Sequence, residues 1–149
     1  MINRQVQTIF CDDIRHEVAG KVSYIGVYSG RLLVPTFPAT LPKLCIAMTL
    51  VTPATTPFRK LSLRVLKDSE VLVQGALDEA KLIDLVDKTD EAPTSEHNDR
   101  VAMLQSYFVF SPFQVDAPCV IRVRVDTEEG ELRGVGLRIE QASDDTDAK

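Results

Sequence analysis

Apolar side chains recur at every second position through much of the chain, the signature of β-strands with one or both faces buried. The clearest case is 120–126, where Ile121, Val123 and Val125 point one way and Arg122, Arg124 and Asp126 the other. Thr127-Glu128-Glu129-Gly130 reads as the hairpin turn that follows. The return strand, 131–140, carries Val135, Leu137 and Ile139 opposite Gly134, Gly136 and Arg138. Two glycines two residues apart predict a bulge or the close approach of another backbone. A second hairpin joins 61–66 to 71–77 through the polar turn Lys67-Asp68-Ser69-Glu70. There, Leu61, Leu63 and Val65 alternate with Ser62 and Arg64, which predicts one wet face.

Residues 6–11 form a short alternating segment read as the first strand, with 12–20 as an irregular connection or a single helical turn. Residues 21–28, 43–52 and 103–110 are apolar on both faces, a pattern expected of central strands covered on both sides. Ser29-Gly30 predicts a tight hairpin from 21–28 into Arg31-Leu32-Leu33-Val34, ended by Pro35. Pro35, Pro38 and Pro42 then space out an extended connection, and 53–57 is a loop. Asp78 fits a helix N-cap, and 79–87 suits a short helix as well as a strand. Residues 88–100 hold a single alanine, Ala92, and no larger aliphatic or aromatic residue apart from Pro93 and His97, and read as a surface loop.

Together these elements predict an all-β fold, an antiparallel β-sandwich of about seven or eight strands, immunoglobulin-like or C2-like, with at most one short helix near 79–87. A chain of 149 residues, 44% hydrophobic, supplies one core, so a single domain over 1–141 is expected, followed by a disordered acidic tail at 142–149. The charge-free stretch 44–58 contains Pro53 and Pro57 and is shorter than the ~20 apolar residues that cross a bilayer. No membrane span and no signal peptide are therefore expected. With 22 acidic and 17 basic side chains the net charge is −5, which argues against a general nucleic-acid surface. Cys11, Cys45 and Cys119 follow no ligand spacing and sit in apolar contexts, as buried free thiols in a reducing cytoplasm would.

The densest charge cluster is Asp12, Asp13, Arg15, Glu17 and Lys21. The reading preferred for it is structural, with Arg15 and Lys21 neutralising the acids between the first two long strands. Its alternatives are a metal-binding or hydrolytic site, with Asp13 or Glu17 as general base beside His16, and a partner-binding surface. Gly20-Lys21-Val22-Ser23 fails as a phosphate loop: Arg15 stands where the first glycine belongs and Val22 where Ser or Thr would meet Mg²⁺. His16 and His97 are too few and too far apart for a zinc site, and His97 reads as an exposed loop residue. Arg122, Arg124, Arg133 and Arg138 lie on the last two strands and form a basic strip if their outward faces coincide. Such a strip is either a solvated face with cross-strand ion pairs or a docking face for an acidic partner. Interleaved aromatics, which would favour nucleic acid, are absent from it.

Phe10-Cys11-Asp12-Asp13-Ile14-Arg15, with Glu17, Gly20-Lys21 and Ser23, resembles the opening of a family of small bacterial proteins classified as a domain of unknown function. Leu41-Pro42-Lys43-Leu44 and Arg133-Gly134-Val135-Gly136 extend the resemblance over nearly the whole chain. It implies a bacterial, intracellular protein with no established activity, and it transfers no catalytic residue. The expectation is a non-enzymatic module without cofactor or metal, which binds an unknown protein partner or self-associates.

Overall fold

Strands make up all but one of the regular elements in the computed structural model, which describes residues 3–77 and 100–143; the exception is a 3-10 turn at Val18–Gly20. The strands are β1 (Gln5–His16), β2 (Val22–Val27), β3 (Arg31–Val34), β4 (Ala39–Leu41), β5 (Leu44–Pro53), β6 (Leu61–Lys67), β7 (Glu70–Leu77), β8 (Val101–Phe110), β9 (Phe113–Val115), β10 (Cys119–Thr127), β11 (Gly130–Arg133) and β12 (Leu137–Gln141). The expected helix at 79–87, its Asp78 cap, residues 88–99 of the expected loop and 144–149 of the expected tail lie outside the described residues. Among the described residues no helix is long and apolar enough to cross a membrane.

The described residues form three sheets. One has the order β2-β1-β5-β8, a second the order β3-β12-β10-β6-β7 with β11 also paired to β10, and β4 pairs with β9. A single cluster of buried side chains draws on all of them: Phe10, Ile46 and Met48 from the first, Val65, Val123 and Ile139 from the second, Val115 from the third. The all-β expectation holds. The finer expectations need correction, beginning with pairing, because β3 runs parallel to β12 and the second sheet is therefore mixed. The strand number also exceeds seven or eight, since β3, β4, β9 and β11 are pieces of three or four residues.

Three further corrections bear on the site. First, β1 continues to His16, so Asp12, Asp13 and Arg15 are strand residues, paired through Asp13↔Ile25 and Arg15↔Ser23. Second, Ser29-Gly30 makes no hairpin: β2 stays with β1, while β3 crosses to the other sheet. Third, β2 and β8 lie at the two ends of their sheet rather than at its centre, leaving Val27 55%, Met103 52% and Val109 57% exposed. Apolar alternation on both faces says that a strand can be covered, and an edge strand can leave such residues in water. The expected central strand at 43–52 is central: β5 lies between β1 and β8, with Leu44 to Met48 all buried. The hairpins β6–β7 and β10–β11 form at the expected turns.

Candidate functional site

Tyr28 donates a hydrogen bond to Asp12 Oδ1, and a Cβ at position 26 would run into the Asp12 carboxylate. Gly26, at φ +69°, is thus required both by its backbone and by the space Asp12 occupies. Burial and then the Asp12 hydrogen bond hold the Tyr28 hydroxyl well above the ordinary tyrosine range. The Asp13 carboxylate accepts from Lys43 Nζ at 3.0 Å and from the Ile14 amide at 3.0 Å. The Lys43 hydrogen bond keeps it below the usual carboxylate range.

Arg15, Glu17 and Lys21 make no ion pair among the described residues; the cation in contact with Asp13 is Lys43, and Arg15 adds a smaller attraction without touching it. His16 lies edge-on to the Tyr107 ring, with centroids 5.2 Å apart. Among the described residues no group of three His, Cys, Asp or Glu side chains is placed to hold a metal ion. Cys11 and Cys45 sit directly opposite each other on β1 and β5, both buried as free thiols. Burial, followed by the neighbouring Cys45, pushes the Cys11 thiol up to about 11.

The basic strip is assembled by register on the second sheet. Arg124 is the Cα partner of Arg133 on one side and of Arg64 on the other, giving a row of three arginines across β11, β10 and β6. At the other end of β10, Val120 pairs with Arg138, and Arg138 with Arg31 on β3. Arg122 stands between the two rows.

Five of these six guanidiniums share three carboxylates. Glu140 takes Arg31 at 2.7 Å and Arg138 at 3.7 Å. Glu131 takes Arg64 and Arg133, each at 3.0 Å, and Arg124 at 3.9 Å, while Asp126 takes Arg64 at 3.5 Å. Arg122 has no carboxylate partner among the described residues. Arg64 Nε is buried without a hydrogen-bond partner. Burial first, then the positive charge of Arg133, presses the Arg124 guanidinium below its ordinary range. Hydrogen bonding from Arg133 holds the Glu131 carboxyl below the usual carboxylate range.

A break between β11 and β12 opens a cleft in this face. Past Arg133 the chain leaves the edge of β10 and rejoins it at Leu137, opposite Ile121, so beyond one amide from Gly134 to the Val123 carbonyl the edge at 122–123 is bare. The excursion lies against Thr8, whose hydroxyl donates to the Val135 carbonyl at 2.6 Å. A Cβ at Gly134 would come within 2.7 Å of Thr8 Cγ2, and one at Gly136 within 2.9 Å of the Ile121 carbonyl oxygen. Gly136 therefore marks the close approach of another backbone, and Gly134 that of the Thr8 side chain. The cleft, about 300 Å³, is lined by Gly30, Arg31, Val120, Arg122, Arg124, Gly134, Gly136 and Arg138.

Three of the four arginines singled out in the sequence thus line or flank one cleft from adjacent strands, with Arg133 beside Arg124 at its end. Arg31 and Arg64 were not among them. Arg64 was recognisable as outward-facing from its alternation with Leu63 and Val65, but nothing local places Arg31 beside Arg138, because their strands meet only through a long-range parallel pairing.

Residues 7–140 match a family of unknown function, DUF6941. The chain belongs to that family. The matched span contains all of the strands from β2 to β11, most of β1 and β12, and every arginine of the face described above, so the cleft lies within the DUF6941 domain. No curated protein and no solved structure matches the chain.

Proposed function

We propose that this protein is a non-enzymatic binding module that docks an acidic segment of a protein partner on the outward arginine face of its second sheet. The observation that carries this reading is the convergence of Arg31, Arg122, Arg124 and Arg138 on one cleft, with Arg122 left without a carboxylate partner among the described residues. In a chain of net charge −5, a face on which six arginines meet three carboxylates among the described residues is a local excess of positive charge that attracts an anion. Asp12 and Asp13, by contrast, are already engaged by Tyr28 and Lys43. In the same reading the two larger sheets are the layers of a sandwich, since one buried cluster draws on both. Three buried free thiols support a reducing compartment such as the cytoplasm.

Fluorescence anisotropy with a labelled glutamate-rich peptide tests the docking reading. The wild-type protein binds it with an affinity that falls as salt rises, and Arg122→Glu combined with Arg124→Glu weakens binding by more than about tenfold. Binding that survives the double reversal overturns the assignment of the face. A single-stranded oligonucleotide of equal charge that binds more tightly than the peptide overturns the protein partner.

A further inference from the structure

Resting on that reading, we infer that the group anchored in the cleft is a phosphoryl group, so that the docked segment is recognised in its phosphorylated form. The first argument is charge. Among the described residues, the four guanidiniums that line the cleft have only shares of two carboxylates: Arg31 and Arg138 divide Glu140, Arg124 competes with Arg64 and Arg133 for Glu131, and Arg122 has none. One carboxylate from a partner leaves this site cationic, whereas a phosphate monoester brings about −1.5 to −2 charge and three acceptor oxygens.

The second argument is the choice of cation. Every basic residue among the described lining of the cleft is arginine, and six of the chain's ten arginines lie on this face, while none of the four described lysines lines the cleft. A planar guanidinium presents paired N–H donors that match two oxygens of a phosphate, which an ammonium cannot do. Arginines arriving from β3, β10 and β12 can address different oxygens of one tetrahedral group, a use for which a flat carboxylate has fewer acceptors.

The third argument is size and lining. About 300 Å³ is at the small end of ligand sites and suits a single side chain or a small ester. Among the described residues no aromatic ring lines it on which a nucleobase could stack. β3 also forms one end of its sheet, beside the cleft, so an extended peptide has backbone to run along there.

Calorimetry on the full chain separates this inference from the docking reading. Three acidic peptides, identical but for a central serine, phosphoserine or glutamate, are titrated into the wild type, Arg122→Gln and Arg122→Lys, with inorganic phosphate as a fourth titrant. The inference predicts that the phosphoserine peptide binds about tenfold or more tighter than either of the others. Arg122→Gln removes that preference yet still binds the unphosphorylated peptide, and Arg122→Lys keeps only part of it. Melting curves of the variants that match the wild type establish that the loss is one of recognition. Equal affinity for all three peptides overturns the phosphoryl inference and leaves docking intact. Inorganic phosphate that binds while no peptide does assigns the cleft to a small phosphate ester and overturns the docked segment. Absence of heat from all four overturns both.

Discussion

Glu128 shows how one turn carboxylate ties the ends of the fold together. Burial alone would raise it. The Arg4 guanidinium at 2.5 Å and the amides of Arg59 and Lys60 at 3.1 and 3.2 Å outweigh that and hold it down to about 2, against an ordinary 4.5. Arg4 in turn stacks on the Phe58 ring at 4.7 Å and donates to the carbonyls of Thr56 and Pro57. The first residues, the loop after β5 and the β10–β11 turn are thereby joined at one point. Because the folded state lowers this pKa, its contribution is complete above pH 4.5 and is lost as the pH falls toward 2. With the Glu128 side chain 26% exposed, that contribution is about 2 kcal/mol. Glu128→Gln is expected to lower stability by that order at pH 7, and the gap to wild type should close by pH 2, as urea denaturation at the two pH values will show. A gap that persists at pH 2 would mean that the glutamine disturbs packing rather than charge.

At the scale of elements, β10 and the glycine break beside it decide where the cleft lies. Its strict alternation, with Ile121, Val123 and Val125 fully buried, was plain in the sequence because one face is dry and the other wet. The same holds for the β6–β7 and β10–β11 hairpins, whose turn residues act locally. Less was legible where position in the sheet matters. Met103 and Val109 have the pattern of a covered strand, yet among the described residues β8 ends the sheet, and nothing in their own sequence says where in the sheet the strand will lie. The end of β1 was misplaced because Asp12 and Asp13 look like turn residues until Tyr28 and Lys43, distant in sequence, supply their partners. Gly136 offers a direct test of the break. Adding a methyl group there meets the Ile121 carbonyl at 2.9 Å, so Gly136→Ala should cost about 1–3 kcal/mol in denaturant unfolding. Gly75→Ala in β7, where nothing lies within 4 Å, should be neutral or slightly stabilising. Equal effects at the two positions would show that the break is loosely packed.

For the molecule as a whole, the feature that matters is a mismatch between net charge and local charge. A chain with five more acidic than basic side chains gathers six arginines on one face of one sheet and gives them three carboxylates. Alternation marks Arg122, Arg124 and Arg138 as outward but gives Arg133 the parity of Val135, so the strip was legible only on condition that the outward faces coincide. The cleft was not legible, since it depends on β3 crossing to lie parallel with β12 and on the gap left between β11 and β12. Family membership over residues 7–140 brings no activity with it, so the physical chemistry of this face carries the functional argument. The most direct test follows backbone amide resonances of the full chain while an acidic phosphopeptide is added. The account predicts saturable shifts concentrated at Arg31, at Val120 to Arg124 and at Gly134 to Arg138, with the amides of Asp12 to Lys21 unmoved. Shifts centred on Asp12 to Lys21, with the arginine face silent, would contradict it.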